Sequence, residues 1–149
     1  MPEVVSIHRV ERRDAEAIVL TEAQVVEGFG LEGDWRSRRG KRRQITLIEA
    51  EALEEVARTL GVDSVPAGAS RRQVVVRGIG LNDIVGKRLR IGPLLIEVYE
   101  LCDPCENMEV KIGPGARAAM EGKGGVCALV LSGGVLRPGD QIAMEPADT

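Results

Sequence analysis

The chain has 149 residues, 44% of them apolar, which is enough for one hydrophobic core, and we expect residues 1–149 to form a single domain. A net charge of −3 argues against non-specific binding to nucleic acid. No apolar run approaches the roughly 20 residues that span a bilayer, and no signal-peptide pattern opens the sequence, so we expect a cytoplasmic protein that does not bind a membrane.

The first half of the sequence predicts short strands joined by glycine-rich and basic loops. Strands are expected at residues 4–10 and 17–20. Three glycines between Gly28 and Gly33 indicate a loop with unusual backbone angles. Six basic residues then fall within the eight positions 36–43. Arginine forks match phosphate oxygens, so this run is a candidate phosphate clamp, and the alternative interpretation is a solvated loop.

One helix is predicted over residues 47–60. Thr46 and Glu49 have the spacing of a capping box, in which each side chain binds a free backbone N–H at the start of a helix. Gly61 is well placed to end the helix. Apolar residues recur three and four positions apart along one face: Ala50, Leu53, Ala57 and Leu60.

The second half of the sequence is dominated by predicted strands. They are expected at residues 73–77, 87–91, 94–101, 126–131 and 141–144. Residues 106–110 predict a poor helix, 116–121 a second, weaker helix, and 132–134 a turn. Helices occur singly and do not alternate with strands. The pattern therefore favours a mainly β (α+β) fold, a mixed or antiparallel β-barrel with one or two helices.

The three cysteines are an odd number and a poor framework for disulfides. Cys102 and Cys105 bracket a polar Asp-Pro turn after a predicted strand. A structural zinc site would need two further ligands, and a thioredoxin-like redox pair would need a βαβ setting. The third chemistry is one thiolate that binds a soft metal or carries sulfur. Cys127, inside an apolar run, is predicted to be a small buried hydrophobic residue, and His8 is given no role.

Several charged residues are candidates for cofactor binding or acid-base chemistry near such a thiolate. A thiol ionises near neutral pH when positive charges surround it, and this chain offers many. Arg71 and Arg72 flank a predicted strand, so they are better held than the basic run and are candidates for binding an anionic cofactor. Asp34 is a candidate acid or base, although an aspartate in a tight turn more often accepts backbone N–H groups.

An ordered series of motifs runs from Gly28 to Met144. The first half contains Gly28-x-Gly30-Leu31-Glu32-Gly33-Asp34, Arg43-Gln44-Ile45-Thr46-Leu47-Ile48-Glu49 and Arg72-x-Val74-Val75-Val76-x-Gly78-Ile79-x-Leu81. The second half contains Gly86-Lys87-x-Leu89-x-Ile91-Gly92, Cys102-x-Pro104-Cys105, Gly124-Gly125-Val126 and Gly133-Gly134-x-Leu136-x-x-Gly139-Asp140. This series resembles the MOSC domain, named for the C-terminal domain of molybdenum cofactor sulfurases, and in particular its small stand-alone bacterial members.

The resemblance implies a β-barrel of the MOSC type that binds a molybdenum-pterin cofactor or transfers sulfur. It assigns the role of metal ligand or sulfur carrier to Cys105. Family members with established activity reduce N-hydroxylated compounds with a molybdenum cofactor bound through this thiol. The residues that we expect to contact such a cofactor are Arg71, Arg72, Asp34 and Arg43.

The same resemblance implies partners and leaves alternatives open. A sulfur carrier would accept sulfur from a cysteine desulfurase or another sulfur donor, and a molybdenum-dependent reductase would need an electron-donor protein. One alternative is a non-catalytic module that delivers sulfur or cofactor. The other is a thiol-disulfide redox protein that uses Cys102 and Cys105.

Overall fold

The computed structural model describes residues 1–103 and 106–146, which contain eleven strands and three α-helices. The strands are β1 (Glu3–Arg9), β2 (Ile18–Leu20), β3 (Ala23–Val26), β4 (Gly30–Leu31), β5 (Ile45–Glu49), β6 (Val74–Arg77), β7 (Arg88–Ile91), β8 (Leu94–Leu101), β9 (Val126–Ser132), β10 (Gly134–Leu136) and β11 (Ile142–Met144). The helices are α1 (Ala50–Leu60), α2 (Glu106–Ile112) and α3 (Ala116–Ala119). None of the helices in these two ranges is long and apolar enough to cross a membrane.

Eight strands form one mixed sheet in the order β11-β7-β8-β9-β5-β6-β1-β2. The pairing of β5 with β6 is parallel, and the other pairings in this sheet are antiparallel. Strand β2 lies at the outer edge, where Val19 is 69% exposed. The predicted mainly β, mixed architecture is therefore confirmed, with three α-helices in the described residues where one or two were expected.

A second, smaller sheet has the strand order β10-β3-β4. Sequence patterns predicted neither β3 nor β10. The turn predicted at residues 132–134 is wrong at both ends, because Ser132 ends β9 and Gly134 begins β10, where it pairs with Val25. Gly134 has a φ of 157°, which is close to fully extended backbone. Pairing across the sheet thus extends a segment that local turn propensity alone would have left as a loop.

The core is aliphatic and lies on the inner face of the strands. Val74 and Val76 of β6, Leu47 of β5, and Ile96 and Val98 of β8 are fully buried in it. Alternate residues of a strand point to opposite faces, so strands such as β6, β8 and β9 supply every second position to this cluster. Burying one such side chain is worth about 1.5–3 kcal/mol, which makes this cluster the main source of stability.

The predicted barrel is not confirmed, because the ladders do not close within the described residues. Strand β1 approaches the segment before β11 through one isolated bridge between Glu3 and Gln141. Backbone hydrogen bonds, such as that from the Val4 N–H to the Asp140 carbonyl (2.9 Å), support the bridge. A turn occupies residues 137–140, and β11 has only three residues, so no length remains for a continuous ladder with β1.

Helix α1 begins at Ala50, three residues later than predicted, because the residues before it form β5. The predicted capping box is wrong. The Thr46 backbone N–H donates to Gln73 Oε1, and the Gln73 N–H donates to Thr46 Oγ1, both at 3.0 Å. Thr46 therefore joins two strands and caps no helix. The predicted end is confirmed, since Gly61 follows α1 in the left-handed conformation with a φ of 70°.

Two short helices follow β8. The prediction of a poor helix at residues 106–110 is wrong, because these residues are helical in α2. Helix α2 packs against a 3-10 turn at Ala67–Ser70, and Lys111 pairs with Glu16, so tertiary contacts override weak local propensity. The second predicted helix is confirmed as α3, which ends two residues earlier than expected.

Two adjacent glycines allow three strands to approach one another at the start of β9. A side chain at Gly125, which has a φ of 87°, would overlap the carbonyl oxygen of Leu47 in β5. A side chain at Gly124 would overlap the carbonyl oxygen of Cys102, just after β8. The close approach holds the end of β8 against the start of β9. The sequence segment 102–105, called the thiol segment below, begins at this point.

We expect Gly125→Ala to lower the free energy of unfolding by about 3 kcal/mol or more, because the added methyl group meets a backbone carbonyl at positive φ. Gly86→Ala is the matched control, since Gly86 has a φ of 89° and no atom within 4 Å of an added Cβ. It should cost only about 1–2 kcal/mol. Urea unfolding measures both values, and equal losses would contradict the close approach.

Candidate functional site

The predicted thiol, Cys105, lies outside the described residues. The structure describes the chain on both sides of it, up to Asp103, two residues after β8, and again from Glu106, the first residue of α2. The contacts of Cys102 and Asp103 with Arg72, Gly124 and Gly125 therefore describe the structure just before Cys105, and we call these five residues the frame of the thiol segment. The Cys102 N–H donates to the Gly125 carbonyl at 2.8 Å, so Cys102 extends the pairing of β8 with β9 by one residue.

Arg72 is the buried charge of this frame, with only 2% of its surface exposed. Its Nε donates to the Gly124 carbonyl at 2.7 Å, and its Nη2 donates to the Asp103 carbonyl at 2.8 Å. The guanidinium thus joins the backbone before Cys105 to the glycine pair before β9. A buried charge is screened less by water and salt than an exposed one, so Arg72 contributes positive potential at this end of the sheet.

Cys102 is bonded to Cys127 of β9, with a Cα–Cα distance of 5.9 Å. Cys127 is 1% exposed, as predicted for a buried residue, but it has a covalent partner that the sequence did not reveal. The redox alternative had paired Cys102 with Cys105, and the bond that the structure contains is a different one. Strand register explains why Cys102 pairs with Cys127. Cys127 lies opposite Glu100 of β8, and Cys102 follows Glu100 by two residues, so its side chain points to the same face.

Arg71, a predicted cofactor contact, binds the backbone of the loop between β1 and β2. Its Nη1 donates to the Ala15 carbonyl at 2.5 Å, and its Nη2 donates to the Arg13 carbonyl at 2.6 Å. Arg71 is 8% exposed and has a φ of 65°, an unusual value for a residue with a side chain. These contacts fix the loop, and the partners of Arg71 differ from those of Arg72, which are Gly124 and Asp103.

Asp34, another predicted cofactor contact, accepts two backbone hydrogen bonds. Its Oδ2 accepts from the Val10 N–H and its Oδ1 accepts from the Arg36 N–H, both at 3.0 Å. Asp34 is 7% exposed. This geometry matches the turn role that the sequence offered as the alternative to acid or base chemistry, and it anchors the start of the basic run to the end of β1.

The basic run 36–43 forms a small pocket of about 260 Å³. Its described lining contains no carboxylate; it consists of Trp35, Arg36, Arg38, Lys41 and Arg43. The Nε of Arg43 is buried and has no hydrogen-bond partner in the described part of the chain. A buried donor without a partner is costly. The four cations of the described lining suit this pocket to an anionic ligand.

Tyr99 connects the basic run to β8. The guanidinium of Arg42 lies over its ring, 4.3 Å from the centroid. Partial burial, and next the carboxylate of Glu100, raise the pKa of Tyr99, although Arg42 and Arg43 oppose this. The phenol therefore stays protonated at neutral pH and is able to donate a hydrogen bond. Neither the ring nor its contact with Arg42 was predicted from the sequence.

A larger groove of about 890 Å³ lies beside Asp103, and residues of α2 and α3 line it. Among the described lining residues, Asp103, Glu109 and Glu121 supply three carboxylates, and Arg117 supplies one cation. Backbone N–H groups, that of Arg117 first and that of Gly115 next, lower the pKa of Glu109. The groove is therefore acidic at neutral pH and is less favourable for an anion than the pocket of the basic run.

The four predicted cofactor contacts fall into different places. Arg72 lies in the frame of the thiol segment, and Arg43 lies in the basic pocket. Asp34 ties the start of the basic run to Val10, just after β1. Arg71 binds the loop between β1 and β2. Their roles toward a cofactor stay predictions. Sequence reasoning missed the disulfide partner of Cys127 and the contact of Tyr99 with Arg42. Both residues lie in predicted strands, and knowledge of strand register would have predicted their neighbours.

The model of the MOSC domain family matches residues 34–143, more than half of the chain. The YuaD protein of Bacillus subtilis has a similar structure, with a TM-score of 0.80 at 20% identity over 95% of this chain and 94% of that one. YiiM of Geobacillus stearothermophilus gives a TM-score of 0.77 at 19% identity, over 98% and 76% of the two chains. These structural likenesses concern the fold alone, and no match is found among curated proteins.

We expect Arg72→Gln to lower the free energy of unfolding by about 3 kcal/mol, because two buried carbonyls lose a charged donor. Arg90→Gln is the control, since Arg90 is 54% exposed and pairs with Glu145. Its loss should stay below about 1 kcal/mol. Urea unfolding of both variants measures the difference, and a small loss for Arg72→Gln would contradict the structural role given to this arginine.

Proposed function

This chain belongs to the MOSC domain family, and on that basis we propose that it works through Cys105, as a thiolate that binds a molybdenum-pterin cofactor or carries sulfur. The observation that carries the proposal is the buried Arg72. Its guanidinium holds the Asp103 carbonyl at 2.8 Å, two residues before Cys105 in the chain. A positive charge fixed near a thiol favours the thiolate, which is the form that binds metals and attacks sulfur.

The basic pocket supports an anionic cofactor. A pterin cofactor carries a phosphate, and the guanidinium of Arg43, which lines the pocket, would pair with it. Lys41 and Arg38 line the same pocket and add positive charge. When bound, a molybdenum centre would supply two-electron redox chemistry, and the chain's own part would be to hold it by a thiolate and by cations.

Arg72 and Asp34 would act on such a cofactor through the backbone. Arg72 fixes the carbonyls of Asp103 and Gly124, and Asp34 fixes the start of the basic run by accepting two N–H groups. Both are therefore proposed as positioning residues. The proposed reductase would take electrons from a donor protein and would act on N-hydroxylated compounds, as in the family members with established activity.

Sulfur transfer is the second candidate, and it uses the same thiolate. A cysteine desulfurase or another sulfur donor would leave one sulfur atom on Cys105 as a persulfide, and an acceptor thiol or cofactor would take it. The acidic groove favours this candidate, because Asp103, two residues before Cys105 in the chain, lines it, and its carboxylates have little attraction for an anionic cofactor. A delivery module without catalysis of its own would use the same steps.

Cys105→Ser tests both candidates. Protein from a host that makes the cofactor should hold about one molybdenum per chain, or should gain about 32 Da after incubation with a cysteine desulfurase and cysteine. The variant should lose either load. Cys127→Ala, which keeps Cys105, is the control and should retain it. Metal analysis and intact-mass measurement read the result. The proposal is wrong if the variant stays loaded or if the wild-type protein takes neither load.

Arg43→Gln tests the anionic pocket apart from the thiol. We expect it to weaken the binding of pyrophosphate about tenfold, because a charge-assisted hydrogen bond is worth about 1.5–3 kcal/mol. Arg90→Gln changes the net charge equally on a distant strand and should leave binding unchanged. Titration calorimetry at low ionic strength measures both. Equal weakening by the two variants would contradict a specific pocket at Arg43.

A further inference from the structure

The bond between Cys102 and Cys127 lies at the junction of β8 and β9, next to the start of the thiol segment. We propose that this bond is a reversible redox site, which a dithiol reductant opens and a low-molecular-weight disulfide closes. The site consists of the two cysteines and the backbone that packs on them. Neither the bond nor its chemistry rests on the proposed function.

The junction is held together without the bond, which is why opening it is compatible with the fold. Residues Leu95 to Leu101 of β8 pair with β9 along most of its length. The Cys102 N–H donates to the Gly125 carbonyl, and Arg72 joins Asp103 to Gly124. Since these contacts survive reduction, the dithiol form keeps both sulfurs near each other and the bond is able to form again.

Burial sets which sulfur reacts. Cys102 is 6% exposed and Cys127 is 1% exposed, so an attacking thiolate reaches Cys102 first. A new bond forms between the reductant and Cys102 Sγ, the Cys102–Cys127 bond breaks, and Cys127 leaves as a thiolate that takes a proton. The second thiol of the reductant then displaces Cys102. Two electrons and two protons pass from the dithiol to the cysteine pair.

The consequence of the redox state is local. In the oxidised form Cys102 is tied to β9 through its side chain as well as its backbone, and Asp103 follows it directly. In the reduced form the backbone hydrogen bonds alone hold this point. We therefore expect the Cys102 amide to exchange its hydrogen about tenfold more slowly in the oxidised protein than in the reduced one, with the rest of β8 little changed.

The test uses the full-length protein equilibrated with oxidised or reduced glutathione, followed by dithiothreitol. Intact mass should fall by about 2 Da on oxidation and recover on reduction, and peptide mapping should give a Cys102–Cys127 cross-link. Cys105→Ser should keep this cross-link, which separates the inference from the proposed function. Cys127→Ala should lose it, and Cys102→Ala serves the same purpose if that variant does not fold.

The outcomes divide cleanly. The inference is supported if a cross-link between Cys102 and Cys127 forms, reverses under native conditions and slows hydrogen exchange at the Cys102 amide. The inference is overturned if the two thiols stay reduced at every glutathione ratio. It is also overturned if the bond opens only in denaturant, or if mapping finds Cys102 joined to Cys105. Loss of molybdenum or sulfur loading in Cys105→Ser, with the cross-link intact, would leave both proposals standing.

Discussion

The guanidinium of Arg72 is the constraint on which the junction of β8 and β9 depends. It is almost fully buried, and it binds carbonyls that belong to two different connections, the one after β8 and the one before β9. Removing an ion of this kind from water is expensive, so the surrounding backbone must stay in place to compensate it. The glycine pair, the extra hydrogen bond of Cys102 and the disulfide all gather at this point because the strands approach one another here.

The sequence predicted most strands and the end of α1, because alternation and a left-handed glycine are local signals. It misplaced the start of α1, because Thr46 satisfies the capping pattern and yet pairs across strands with Gln73. It also missed α2, whose residues become helical through packing. The barrel stays unconfirmed for a related reason: closure depends on how the first and last strands meet, and no local pattern encodes that contact.

The site was predictable in its chemistry and less so in its geometry. Residue types alone indicated a thiol among cations, and the structure contains a buried arginine bound to the carbonyl of Asp103, two residues before Cys105 in the chain. Whether an arginine faces a ligand or a carbonyl depends on contacts distant in sequence, such as that of Arg71 with Ala15. The partner of Cys102 is a matter of register between β8 and β9, which cysteine spacing along the chain does not express.

The edge strand β2 carries a different consequence. Its exposed Ile18 and Val19, at the border of the large sheet, are the kind of surface on which a strand of another molecule could add and begin aggregation. The strand has only three residues, which is too short to template a stable addition. The loop just before it, at 11–16, is rich in arginines and acidic residues, and charged side chains beside an edge oppose strand addition because they would lose their hydration. Brevity and charge thus protect the solubility of a chain whose fold leaves an apolar border uncovered.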